Sequence, residues 1–115
     1  MSKNVGVIGL GAMGLGVARS LLRAGFNVHA CDVRDAVLQQ FASEGGVACA
    51  SAAALGEQCD IVITLVVNAV QTEQVLFGEN GVVRRLRPGS LVIACATVAP
   101  DFAVQLGQRL AERQI

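Results

Sequence analysis

Val7-Ile8-Gly9-Leu10-Gly11-Ala12-Met13-Gly14 is the stretch on which the fold of this 115-residue chain turns. It holds the pattern Gly-x-Gly-x-x-Gly, and its surroundings give that pattern meaning. Asn4 to Ile8 reads as a short strand ending at Gly9. Ala12 to Ala24 reads as a helix, with Met13, Val17, Leu21 and Ala24 on one face and Arg19 and Arg23 on another. Gly25 suits a helix stop, since glycine takes positive φ without strain. Asn27 to Cys31 is a second strand, and Asp32 stands at its end, about 20 residues beyond the first glycine.

The alternation continues outward from there. Arg34 to Glu44 reads as a helix with Val37, Leu38 and Phe41 inward, closed by Gly45-Gly46. Val47 to Ala50 is a weak strand, and Ser51 caps a short helix running through Gly56. Ile61 to Val67 is the strongest strand, without polar alternation, as in a central parallel strand covered on both faces. A helix from Ala69 to Phe77, a turn at Arg87-Pro88-Gly89 and a strand from Ser90 to Cys95 follow. Pro100 and Asp101 suit the first turn of a last helix, continued by Leu106 and Leu110. Five strands alternating with helices predict an α/β, Rossmann-type doubly wound parallel sheet with strand order 3-2-1-4-5. A full fold of this kind has a sixth strand, which would begin where Ile115 stands, so the sixth strand is expected to be absent. Residues 1–115 are read as one dinucleotide-binding domain.

Composition narrows the function. Nine Lys plus Arg balance nine Asp plus Glu, which argues against a general nucleic-acid or membrane-surface binder. The 53% apolar content rules out a disordered chain, and the longest strongly apolar run is far short of the roughly 20 residues a membrane helix needs. Cys31, Cys49, Cys59 and Cys95 form no Cys-x-x-Cys pair, and His29 has no second ligand at metal spacing. No metal site is expected, and the thiols read as small buried groups of a cytoplasmic protein. His29 reads as a packed strand residue, Arg84-Arg85-Leu86-Arg87 as a solvated loop, and Cys95 as a plain core thiol rather than a nucleophile.

The glycine-rich turn has a specific chemistry. Gly9 allows the tight turn, a side chain at Gly11 would keep a pyrophosphate off the backbone, and Gly14 lets the helix sit close to the sheet. The helix N-terminus offers unpaired N–H groups and a partial positive charge to the phosphates. Leu10, Ala12 and Met13 belong to the same turn, with Met13 expected to pack beside the cofactor. Asp32 is expected to accept hydrogen bonds from the adenosine ribose, with Val33 beside it. A carboxylate there repels a 2′-phosphate, which favours NAD over NADP. Arg34 blurs that preference, either by holding a 2′-phosphate or by standing solvated at the start of its helix.

Val7-Ile8-Gly9-Leu10-Gly11-Ala12-Met13-Gly14 resembles the V-x-I-G-L-G-x-M-G opening of the β-hydroxyacid dehydrogenases. That family includes 3-hydroxyisobutyrate dehydrogenase, tartronate semialdehyde reductase and the L-threonate dehydrogenases, the last being the most alike. Arg23-Ala24-Gly25-Phe26-Asn27-Val28, Arg87-Pro88-Gly89-Ser90-Leu91-Val92-Ile93 and Thr97-Val98-Ala99-Pro100 continue the resemblance along nearly the whole chain. It implies that the segment Leu65-Val66-Val67 covers the cofactor, although the family's Leu-Pro is here Val66-Val67. It also implies that Gln71 stands for a family Asn and bonds the cofactor, or else is a solvated helix residue. The family's Asp-x-Ser-Thr falls on Ala94-Cys95-Ala96-Thr97, where only Thr97 is kept, to touch the nicotinamide or the substrate, or to cap the next helix.

The family's acid/base lysine and its substrate loop have no counterpart in these residues. The single lysine, Lys3, precedes the first strand, and there is no tyrosine. The resemblance therefore implies the NAD-binding part of a two-domain oxidoreductase, with no catalytic residue within 1–115. The lysine and the C-terminal helical domain would lie beyond Ile115. The whole protein would move a hydride between a small β-hydroxyacid and NAD, as a homo-oligomer. The alternative is a stand-alone NAD-sensing module without catalysis.

Overall fold

Five parallel strands, ordered β3-β2-β1-β4-β5, form one sheet in a computed structural model that describes residues 3–96 and 98–115. They are β1 (Asn4–Ile8), β2 (Asn27–Cys31), β3 (Val47–Ala48), β4 (Ile61–Thr64) and β5 (Leu91–Ala94). Five helices alternate with them: α1 (Ala12–Arg23), α2 (Asp35–Ser43), α3 (Ala52–Gln58), α4 (Ala69–Phe77) and α5 (Pro100–Ala111). The register sets Val5 beside Val28 and Ile61, and Ile8 beside Cys31 and Thr64. This is the α/β doubly wound, Rossmann-like order read from the sequence.

Each face of the sheet has its own core. Val7, Leu10, Val28 and Ala30 meet Ala18 of α1 with Leu38 and Phe41 of α2. On the other face Ile8, Val62 and Cys59 meet Leu55 of α3, Leu76 of α4 and Leu106 and Leu110 of α5. Helix caps follow the local chemistry. Ser51 Oγ accepts from Ala54 N at 3.1 Å, and Asn68 Oδ1 accepts from Gln71 N at 2.9 Å, each satisfying an otherwise orphaned donor. The Arg109 guanidinium pairs with Glu73 and lies over the Phe77 ring, clasping α5 to α4.

Four expectations are corrected. The apolar face read for α1 from Met13 to Ala24 is not the buried one: the buried residues are Gly14 and Ala18, and Met13 is 71% exposed. The helix approaches the sheet so closely that only small residues fit beneath it. Ile61 to Val67 does not continue as strand past Thr64, because Leu65 N makes the last bond to β1, at Ile8 O, and Val67 N turns to Gln71 Oε1. Nor is β4 covered on both faces: Val62 and Thr64 are buried, but Ile61 and Ile63 are half-buried and belong to neither core. Finally, Cys95 is exposed rather than in the core, because it follows the edge strand β5. No described helix is long and apolar enough to cross a membrane.

Candidate functional site

Because every strand runs the same way, the ends of β1, β2, β4 and β5 share one edge of the sheet. The glycine-rich turn crosses that edge. Gly9 has φ +100°, a conformation that side-chain-bearing residues rarely adopt, and an added Cβ would stand 2.5 Å from Leu65 O. A Cβ on Gly14 would stand 1.9 Å from Gly9 O, so helix and turn touch backbone to backbone. A Cβ on Gly11 would meet nothing within 4 Å. Packing thus demands Gly9 and Gly14, whereas Gly11 borders open space. In front of it stands the N-terminus of α1, whose first-turn N–H groups have no side-chain cap from Gly11.

Asp32 joins this turn to the end of β2. Its Oδ2 accepts from Leu10 N at 2.6 Å, and Cys31 O accepts from Gly9 N at 2.9 Å. Arg34 supplies the rest: its backbone N reaches Oδ1 at 2.8 Å, Nε reaches Oδ1 at 3.0 Å and Nη2 reaches Oδ2 at 3.1 Å. Both carboxylate oxygens are therefore shared, and the Asp32 side chain is only 6% exposed beneath a 55% exposed Arg34. Burial pushes the carboxyl up. The hydrogen bonds from Arg34 and Leu10 outweigh it and hold the group below the usual carboxylate range. Arg34 is thus neither free nor merely solvated, but paired with Asp32. Val33 is fully exposed beside them.

The segment after β4 lies against the turn. Leu65 and Val66 border Gly9, and Val67 is exposed. Gln71 Oε1 accepts from Val67 N at 2.8 Å, so its carbonyl closes this loop and its amide NH₂ is what remains to donate outward. Asn68, which no motif singles out, starts α4 and caps its first turn at Gln71 N. An Asn directly before a helix was the available signal. Thr64 Oγ1, buried at the end of β4, has no hydrogen-bond partner among the described residues. Thr97 lies outside the described residues.

Gly9 to Gly14, Asp32, Val33, Arg34, Leu65 and Val66 thus gather at one sheet edge, with Val67 on the neighbouring loop and Gln71 in the first turn of α4. His29 and the arginine cluster stand apart. His29 is buried with its Nδ1 3.9 Å from Cys49 Sγ, and burial pushes its pKa down. Arg84 donates to Gly78 O, while Arg85 and Arg87 pair with Glu57 and Asp60. A cleft of about 250 Å³ between α4, β5 and α5, lined by Thr72, Val92 and Phe102 among others, takes in none of the expected site residues that the structure describes.

Comparison with known proteins places this geometry. Residues 4–115 match the NAD binding domain of 6-phosphogluconate dehydrogenase. An L-threonate dehydrogenase of Cupriavidus necator is 70% identical over 113 residues, which is 98% of this chain and 38% of the relative. The L-threonate dehydrogenase of Escherichia coli K12 is 38% identical over 94% of this chain and 36% of its own length. A crystal structure of 3-hydroxyisobutyrate dehydrogenase from Salmonella typhimurium superposes with a TM-score of 0.93 at 37% identity, covering 98% of this chain and 39% of that one. The chain thus spans somewhat over a third of the length of the relatives it matches. It belongs to the family of the NAD binding domain of 6-phosphogluconate dehydrogenase.

Proposed function

We propose that this chain is the cofactor-holding part of an NAD-dependent dehydrogenase of small β-hydroxyacids, with an L-threonate-like acid as the leading substrate. The observation that carries the reading is the open backbone at Gly11 beside the N-terminus of α1, with Asp32 bonded to Leu10 across the same turn. A dinucleotide fits these residues. Its pyrophosphate would rest on the first-turn N–H groups of α1, where no side chain intervenes. Its adenosine ribose would meet Asp32, after the Arg34 guanidinium has moved aside. Val33 would border the adenine, while Leu65, Val66, Val67 and the amide of Gln71 would flank the nicotinamide half, with Thr97 on the same side.

When bound, NAD supplies the hydride acceptor. The chain's own part is to bind it, orient it and shield one face. The proton of the substrate alcohol needs a separate acceptor. Lys3 lies at the opposite edge of the sheet, His29 is buried, and there is no tyrosine. We therefore assign that proton to a lysine outside residues 1–115, in a second, helical domain. We read the setting as cytoplasmic and the whole protein as a homo-oligomer. Preference for NAD over NADP rests on Asp32, moderated by Arg34.

Calorimetric titration of residues 1–115 with NAD tests the reading. Saturable one-site binding without turnover of L-threonate or 3-hydroxyisobutyrate is expected. Absence of binding overturns the cofactor assignment, and sustained NADH formation overturns the assignment of the proton acceptor.

A further inference from the structure

Three cysteines lie on the α3 side of the sheet, and two of them stand at the edge that carries the glycine-rich turn. The register of β2 and β3 runs His29 beside Val47 and Ala30 beside Ala48. Cys49 N continues the ladder to Ala30 O at 2.8 Å, which brings Cys49 opposite Cys31. Neighbouring strands lie about 4.7–4.9 Å apart, inside the roughly 4.4–6.8 Å between Cα atoms that a disulfide spans. Both side chains are on the same face. Cys31 shares its face with His29, two residues earlier, and Cys49 Sγ lies 3.9 Å from His29 Nδ1. Cys31 and Cys49 pack against the same core as Leu55.

We propose that Cys31 and Cys49 form a reversible disulfide, and that forming it loosens the hold of Asp32 on the glycine-rich turn.

A peroxide is the oxidant class that fits a site with one half-buried and one buried thiol. Cys31 is the more exposed of the two residues. As its proton leaves, its sulfur attacks a peroxide oxygen, the O–O bond breaks, and the departing hydroxide takes that proton to become water, leaving Cys31 a sulfenic acid. Cys49 sulfur then attacks Cys31 sulfur. The S–O bond breaks, the S–S bond forms, and the departing hydroxide takes the Cys49 proton, relayed by His29 Nδ1, to leave as a second water. Two thiols lose two electrons and two protons, and one peroxide becomes two waters. Burial pushes both thiols up, so the pair resists casual oxidation. The pair stands at the edge that carries the glycine-rich turn, and a disulfide with one half-buried partner is open to exchange with an outside thiol. The product is therefore a labile modification rather than a structural staple.

The link to the turn is covalent and short. Cys31 O holds Gly9 N, and the next residue, Asp32, holds Leu10 N. Closing the bond turns both cysteine side chains out of their present packing, and the adjustment falls on the residue that holds Gly9 N and on its neighbour Asp32. The effect on NAD rests on the function proposed above, whereas the bond itself does not.

The test uses the whole chain with the exposed Cys95 replaced by Ser, treated with hydrogen peroxide. Expected is a mass lower by two hydrogens and a proteolytic peptide joining residues 31 and 49, both reversed by dithiothreitol. Amide exchange at Gly9 and Leu10 accelerates, and NAD affinity falls about fivefold or more. Adding Cys31→Ser or Cys49→Ser abolishes all of these. Sulfonic or sulfinic adducts without the 31–49 peptide overturn the proposal, and so does a joined peptide with exchange at Gly9 and Leu10 unchanged. If the reduced chain binds no NAD, the cofactor reading fails, and the peptide and exchange results still decide the disulfide.

Discussion

Asp32 accepts a 2.6 Å hydrogen bond from the backbone of Leu10, so the carboxylate proposed to meet the ribose also holds the glycine-rich turn in shape. On the proposed reading one side chain serves geometry and recognition together. Replacing Asp32 by Ala leaves Leu10 N without its partner, and an unsatisfied donor that is partly buried costs about 1–3 kcal/mol. Asp32→Ala is expected to lower the thermal midpoint, weaken NAD and narrow the gap between NAD and NADP. Arg34→Ala is expected to do the reverse for selectivity. It uncovers the carboxylate for the ribose hydroxyls and removes the cation paired with it, which could hold a 2′-phosphate. Calorimetry with both dinucleotides on both variants checks this, and an unchanged NAD to NADP ratio in Asp32→Ala would refute it.

Two glycines of one motif separate binding from folding. Gly11→Val places a side chain where nothing lies within 4 Å, so stability is expected to hold while NAD binding is lost. Gly14→Ala drives a methyl group to 1.9 Å from Gly9 O, and overpacking of this kind costs about 1–3 kcal/mol or more. Thermal melts with and without NAD distinguish the two. Intact NAD binding by Gly11→Val would move the site elsewhere.

Burial holds the His29 imidazole below its usual pKa of about 6.5. The unfolded chain takes up a proton near that value, and the folded chain does so only at lower pH. Stability from this group is thus complete above about pH 6.5 and is lost as the pH falls through the window below it. Asp32 acts in the same direction further down, below about pH 3.9, since its folded pKa is also depressed. Thermal midpoints from pH 8 to 5 are expected to decline for the parent chain and to be flatter for His29→Leu. Parallel curves would rule out a titrating His29.

The edge strand β5 leaves Leu91 52% and Ile93 42% exposed, beside the half-buried Ile61 and Ile63. An unpaired edge next to an apolar strip favours self-association. Residues 1–115 are expected to show a mass that rises with concentration in light scattering, and Ile93→Lys to return it toward monomer. A concentration-independent monomer in the parent chain would defeat the expectation.

The order of strands and helices was legible because each element carries a local signal. The β-branched run at Ile61, the glycine stop at Gly25 and the cap at Ser51 are all written within a few residues of where they act. Met13 misled for the same reason. Periodicity marks which residues share a helix face, but the distance of closest approach decides which face turns inward, and at Gly14 that distance admits no side chain.

By itself the sequence determined the parallel architecture, the glycine-rich turn and the acidic residue after the second strand. These depend on backbone freedom, helix termini and hydrophobic period, which neighbouring residues settle among themselves. Tertiary structure alone decided that Arg34 covers Asp32, that Gln71 folds back on Val67, and that Cys49 arrives opposite Cys31. It also left Ile93 exposed at the edge. The physical reason is that side-chain pairing and cover depend on how strands distant in sequence align and which helix lies over them. Loop-closing and packing free energies choose that alignment for the chain as a whole.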